Sequence, residues 1–183
     1  MRVIDDVVLA CWIAFRLYWL AAALGAKSSI DRHPVHAVGS RVVVVMVVLA
    51  LVRAGVFKNA ASVTNPVVRG IGLTLFLAGL ALAVWARVCL GRNWGQPMSE
   101  RADPQLGTTG PYRRIRHPIY TGLIVGLFGT MLAVSWYWGV AVVAAAGFFV
   151  YSALVEERNM SRRFPDAYPP YKRRTKMLIP FIL

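Results

Sequence analysis

Residues 119–155 read IYTGLIVGLFGTMLAVSWYWGVAVVAAAGFFVYSALV, without one charged side chain. A single helix of this length would run about 55 Å, far beyond a hydrocarbon core of about 30 Å. The run is interrupted at Ser135-Trp136-Tyr137, where polar and aromatic side chains suit a membrane–water interface. It therefore reads as two spans, Ile119–Val134 and Trp138–Val155, folded as a C-terminal helical hairpin with its turn at one membrane surface.

Towards the N-terminus lie three further apolar runs, Val7–Leu24, Val38–Phe57 and Val67–Leu90, each near the roughly 20 residues a spanning helix needs. The expected fold class is all-α: a polytopic membrane protein of about five transmembrane helices. Composition agrees, since 57% hydrophobic residues and a mean hydropathy of +0.54 exceed what a soluble domain carries. At 183 residues one membrane domain over 1–183 is expected, with the first two helices in 1–66 and the other three in 67–183. The N-terminal run faintly resembles a signal peptide. Asp5, Asp6 and Arg16 spoil that pattern, and a retained first helix is expected instead. Cys11 and Cys89 both sit in apolar runs with no CxxC spacing, which supports neither a disulfide framework nor a zinc site.

The formal charge of +13 could suggest nucleic acid, but that reading wants a soluble basic face. Here Lys and Arg fall mostly between apolar runs, where membrane proteins carry topology signals, so nucleic acid is not an expected partner. Arg92, Arg101, Arg113, Arg114 and Arg116 precede the hairpin; Arg158, Arg162, Arg163, Lys172, Arg173, Arg174 and Lys176 follow it. A hairpin puts both groups on one side, and the positive-inside bias makes that side the cytoplasm. The N-terminus is then outside and the C-terminus inside. The first loop (Lys27, Arg32, Arg41) also falls inside, and the second (Lys58, Arg69) outside. Gly72, Gly79, Gly122, Gly126 and Gly129 are expected to let helices approach closely.

Two polar stretches stand out. Residues 91–120, GRNWGQPMSERADPQLGTTGPYRRIRHPIY, form a connector longer than packing requires, and such loops are often functional. It ends in Arg116-His117-Pro118, with Pro118 suited to the first turn of the next helix. The free N–H groups of that turn, with Arg and His alongside, favour an anionic group. The second stretch is Glu156-Glu157, at a helix C-terminus where carboxylates oppose the dipole. Pairing with Arg158, Arg162 or Arg163 is one explanation. The hairpin brings these two ends together, since packed helices lie about 8–10 Å apart. The implied ligand carries both signs, as a zwitterionic phospholipid headgroup or S-adenosylmethionine does.

Gly110-Pro111-Tyr112, three residues, then Arg116-His117-Pro118-Ile119-Tyr120-Thr121-Gly122 resembles the signature of the isoprenylcysteine carboxyl methyltransferase family and its phospholipid methyltransferase relatives. The likeness continues through Glu156-Glu157, Phe164, Tyr168, Tyr171 and Ile179-Pro180-Phe181, with Leu90-Gly91-Arg92-Asn93-Trp94 upstream. It covers roughly residues 88–183. It implies that 67–183 is the core of a membrane methyltransferase using S-adenosylmethionine, with the cofactor pocket at the cytoplasmic face and a lipophilic small molecule or lipid as acceptor. A phospholipid, amine or thiol methyltransferase of the same fold is the alternative, and a non-catalytic lipid-binding membrane protein the other class. By the resemblance, Tyr112, His117, Pro118, Ile119, Tyr120 and Glu156 match cofactor-contacting positions. Leu106 and Gly107 match the stretch before the turn, and Gln96 is a further contact. His117 and the adjoining helix N-terminus are expected on the cofactor carboxylate, Tyr112 and Tyr120 near the adenosine, and Glu156 on the ammonium or ribose. Pro104 and Gly107 depart from the usual pattern, and Ser152 stands where eukaryotic members carry an Arg on the substrate side.

The remaining polar residues point elsewhere. His33 and His36 have ligand-like spacing but no third partner, so no metal site is expected. Arg16, Arg53 and Arg87 lie in or near spans, where a charge snorkels, pairs or faces a cavity, and Arg87 is near enough to reach the site. Residues 168–174 read as an interfacial segment on anionic headgroups.

Overall fold

The computed structural model describes residues 2–24, 62–91 and 106–178. The second expected span (Val38–Phe57), His33, His36, Gln96 and Ile179-Pro180-Phe181 lie outside them. The described residues form five α-helices: α1 (Arg2–Leu24), α2 (Pro66–Leu90), α3 (Pro118–Ala133), α4 (Trp138–Arg163) and α5 (Tyr168–Arg174). A 3-10 turn, Gly110–Arg113, precedes α3. Among the described residues there is no strand, only two isolated bridges.

Local sequence sets the ends of these helices. Asn65 caps α2 by accepting from the amides of Val67 and Val68, and Pro66 occupies the first turn, where a missing N–H costs nothing. Pro118 opens α3 in the same way, and Val134–Tyr137 turns the chain into α4. The hairpin is therefore present, and the break is at Ser135-Trp136-Tyr137.

Helices α2 and α3 pack antiparallel at very short range. A Cβ on Gly79 would overlap the backbone of Gly122 and Gly126, and one on Gly129 would overlap Phe76. Only hydrogen at those positions allows the approach. Helix α1 lies on the pair through Val8, Phe15 and Trp12 against Phe76, Leu80 and Ala83, and Trp12 Nε1 donates to Thr130 Oγ1 at 3.1 Å. Asp5 pairs with Arg69 at 2.7 Å near the start of α1 and α2. At the other end Arg87 donates to the carbonyls of Ala22 (2.7 Å) and Gly91 (2.6 Å). The two helices are therefore parallel.

Arg69 was expected in an outer loop; instead it is a buried residue of α2. Arg87 lies close enough to the site for its charge to act on Tyr112, while its hydrogen bonds go to helix ends. It closes unsatisfied carbonyls at the C-termini of both α1 and α2.

The long helices α2 and α4 have mean hydropathies of 2.1 and 2.0 over their most apolar stretches, of which only 33% and 11% is buried inside the protein. Water would not tolerate that much exposed apolar surface on a soluble fold. The chain is a membrane protein; among the described residues two helices are long and apolar enough to cross the bilayer, and α3 is a shorter apolar helix.

Candidate functional site

The site is built where α3 begins and the apolar part of α4 ends. His117 caps α3 with no side-chain hydrogen bond to the first turn, so the cap residue leaves the amides of that turn to other partners. His117 Nδ1 lies 3.4 Å from Glu156 Oε2, and its Nε2 lies 3.7 Å from Glu157 Oε1. The second distance is too long for a hydrogen bond, and Nε2 is buried without one. Burial by itself would lower the His117 pKa. The hydrogen-bonding approach of Glu156 and the negative charge of both Glu156 and Glu157 outweigh it, so the net shift is upward, and the imidazolium is favoured.

Tyr120 lies one turn into α3. Its ring stacks on His117 (centroids 5.4 Å apart, 4° between planes) and on Phe149 of α4 (4.7 Å). Its hydroxyl donates to Glu156 Oε1. Glu156 thus bridges His117 and Tyr120 on the site side of α4. Phe149 escaped the sequence reading, although it stands seven residues before Glu156, a spacing that puts both on one helical face.

Glu157 faces another set of partners. It is 4% exposed and pairs with Arg116 Nε at 2.6 Å and Lys172 Nζ at 2.7 Å. These partners come from the segment before α3 and from α5, not from Arg158, Arg162 or Arg163 on its own helix. Arg116 Nη1 also donates to the carbonyls of Lys172 (3.2 Å) and Thr175, closing the C-terminus of α5.

The C-terminal segment braces this assembly. Ile115 bridges Lys176 in parallel, the Arg116 and His117 amides donate to Lys176 and Met177 carbonyls (2.8 and 3.1 Å), and Thr121 Oγ1 donates to Leu178 O at 2.6 Å. Tyr171 donates its hydroxyl to Tyr112 O at 2.8 Å. Burial raises the Tyr171 phenol to about 12, so it remains a donor. Tyr168 and Tyr171 are therefore buried braces, and only the basic side of α5 is left for an interfacial role. No sequence period announces this, because the tether is one bridge and a few side chains.

Tyr112, Ile119 and Tyr120 share one apolar cluster with Ala86, Ala153 and Leu178, and Pro118 is fully buried beside His117. Tyr112, His117, Pro118, Ile119, Tyr120 and Glu156 thus gather at one end of the α3–α4 pair. Leu106 and Gly107 are half-buried; a Cβ on Gly107 would come within 2.9 Å of Leu90 Cδ1, so this stretch packs on the end of α2. Gly110 has φ +58, and a Cβ there would collide with Cys89 Sγ; glycine is required for the turn that presents Tyr112. Ser152 is fully buried and donates to Phe148 O at 2.8 Å within its own helix. Among the described residues, no group of three or more His, Cys, Asp or Glu gathers as a metal site would need.

With this geometry in place, the comparisons with known proteins are informative. A family model described as phospholipid methyltransferase matches residues 67–167, from the start of α2 to the residue before α5. The nickel-cobalt-cadmium resistance protein NccN of Alcaligenes xylosoxydans xylosoxydans is 31% identical over 166 residues, covering 88% of this chain and 73% of its own length. The cobalt-zinc-cadmium resistance protein CzcN of Cupriavidus metallidurans is 32% identical over 148 residues, 79% of this chain and 64% of its own. Methanethiol S-methyltransferase 1 of Bradyrhizobium diazoefficiens is 38% identical over 82 residues, 45% of this chain and 28% of its own. The family match takes in the whole Gly110–Gly122 signature, the hairpin and both glutamates, and on that footing the chain belongs to the phospholipid methyltransferase family.

Proposed function

We propose that the chain is an S-adenosylmethionine-dependent methyltransferase of the membrane, acting on a lipophilic acceptor at the cytoplasmic face. One observation carries this reading: a buried His117 with an unbonded Nε2 stands beside the uncapped start of α3 and 3.4 Å from the Glu156 carboxylate. Donors and an acceptor converge within one side chain's reach, as a zwitterionic amino-acid group requires. The residues fit the cofactor. His117 and the first-turn amides of α3 would hold its carboxylate, and Glu156 its ammonium or ribose. Leu106, Gly107, Tyr112, Pro118, Ile119 and Tyr120 would form the walls, with Gln96 contributing from the preceding loop.

When bound, the cofactor supplies a methyl carbon on a sulfonium, an already activated donor. The chain's residues then have to orient two reactants and exclude water, which can account for most of the rate. The stacked rings of His117, Tyr120 and Phe149 give a rigid wall for that purpose. Tyr120 holds Glu156 through its hydroxyl, fixing the carboxylate before any ligand arrives.

Ser152, neutral and bonded to its own helix, offers no cation to an acceptor carboxylate. That favours a thiol, amine or phospholipid acceptor over a prenylcysteine carboxylate. The likeness to methanethiol S-methyltransferase 1 supports a thiol in particular. The site end of the bundle faces the cytoplasm in this reading, and the parallel α1 and α2 support a five-span topology, with the chain returning across the bilayer between them.

Calorimetric titration of S-adenosylmethionine and S-adenosylhomocysteine into the protein in nanodiscs tests the proposal. Saturable binding is expected, followed by transfer of labelled methyl to one of a thiol, an amine phospholipid or a prenylcysteine. Folded protein that binds neither compound would overturn the reading in favour of a non-catalytic lipid-binding protein.

A further inference from the structure

A second polar cavity lies behind the Tyr112 turn. It has a volume of about 310 Å³ and is lined by Thr108, Arg113, Tyr171, Arg174 and Thr175. None of the residues proposed above to hold the cofactor lines it. Arg113 and Arg174 both line this cleft, and among the described residues neither pairs with a carboxylate. No acidic side chain is part of its lining.

The other polar groups narrow the ligand. Tyr171 Oη spends its proton on Tyr112 O (2.8 Å), and Thr175 Oγ1 spends its own on Tyr171 O (2.7 Å). The donors left to a ligand are therefore the two guanidiniums and the Thr108 hydroxyl. Two cationic side chains with no carboxylate in the lining select an anion with several acceptor oxygens, and guanidinium forks match phosphate geometry. The cleft is far too small for a folded partner and roomy enough for a phosphate with its ester substituent.

We propose that this cleft binds a phosphate group, either an anionic lipid headgroup or a free phosphate. Its position explains why the anion would matter. Thr175 O accepts from Arg116, whose Nε holds Glu157. A phosphate clamped between Arg113 and Arg174 ties the turn before α3 to the end of α5, the same two segments that Arg116 and Tyr171 already join.

The test uses the full chain in neutral-detergent micelles, with its melting temperature followed during separate titrations of short-chain phosphatidylglycerol, short-chain phosphatidylcholine and inorganic phosphate. A saturable rise with phosphatidylglycerol alone supports the proposal with a lipid as the source, and one with inorganic phosphate as well supports it with free phosphate as the source. Half-saturation should move by about twentyfold or more in the Arg113→Gln/Arg174→Gln double variant, and by less than about twofold in Arg173→Gln, which is exposed on α5 outside the cleft. If the double variant does not fold, each single variant is read by the same criterion. No saturable response in the wild type overturns the proposal, as does equal weakening by Arg173→Gln. Loss of S-adenosylmethionine binding in the double variant would also overturn it, by making the cleft part of the cofactor site.

Discussion

Removing the carboxylate of Glu157 would strand Arg116, whose side chain is 9% exposed, while Lys172, 49% exposed, would return to water. The Arg116 pair therefore dominates, because an exposed partner is screened and contributes little. Breaking a buried pair from one side costs about 3–5 kcal/mol, so Glu157→Gln is expected to lower the melting temperature sharply. Glu156→Gln keeps an oxygen that can accept from Tyr120, so its main effect should be weaker cofactor binding, with a small change in melting temperature. Thermal unfolding and calorimetry on the two variants check this division; a reversed pattern would exchange the roles of the two glutamates. His117 adds a pH dependence. Its folded pKa lies above the unfolded value of 6.5, so the stability drawn from the carboxylates is fully present below that value. It is lost as pH rises through the folded pKa. The melting-temperature gap between wild type and His117→Gln should therefore be wide at about pH 6 and narrow by about pH 9. A gap that widens with pH would mean that the imidazole is held neutral.

Between elements, the decisive feature is the α2–α3 contact, and its glycines are not equivalent. A Cβ on Gly79 would overlap backbone atoms of Gly122 and Gly126, whereas a Cβ on Gly126 would meet Leu80 Cδ2 at an ordinary 3.6 Å. Gly79→Ala should destabilise by about 2 kcal/mol or more, since neither backbone can move aside cheaply. Gly126→Ala should be neutral or slightly stabilising, by up to about 1 kcal/mol, through a less flexible unfolded chain. Melting temperatures of the two variants separate these outcomes, and equal losses would refute the distinction. The sequence showed that these glycines allow close packing, but the difference between Gly79 and Gly126 depends on helix rotation, which spacing alone does not define. The same limit applies to Glu157. An acidic pair at a helix end announces a cation, but Arg116 lies 41 positions away, and only the hairpin and α5 bring it there. The hairpin and the His117–Glu156 approach were legible because an uncharged run of that length has one way to fit a bilayer. The C-terminal brace was not, because an isolated bridge at Ile115 and Lys176 leaves no periodic trace.

At the scale of the whole molecule, α1, α2 and α4 all end where α3 begins. Three helix C-termini and their partial negative charges collect at the site end. Arg87, Arg162 and Arg163 lie in the last turns of α2 and α4, and Arg87 reaches the α1 terminus as well. Arg87 satisfies helix-end carbonyls directly, and Arg162 and Arg163 place positive charge at the negative end of the α4 dipole. Helices α1 and α2 run parallel, with their C-termini joined through Arg87. The topology can be tested from outside the cell. With Cys11 and Cys89 replaced by Ala, exposed Ser62, beside the α3–α4 turn, and exposed Arg158, at the site end of α4, are each changed to Cys. A membrane-impermeant maleimide should label Ser62→Cys in intact cells and Arg158→Cys only after the membrane is opened. The opposite pattern would put the site end outside the cell, away from cytoplasmic S-adenosylmethionine, and would remove the physical basis for methyl transfer there. Labelling of both positions in intact cells would mean that the hairpin does not cross the bilayer.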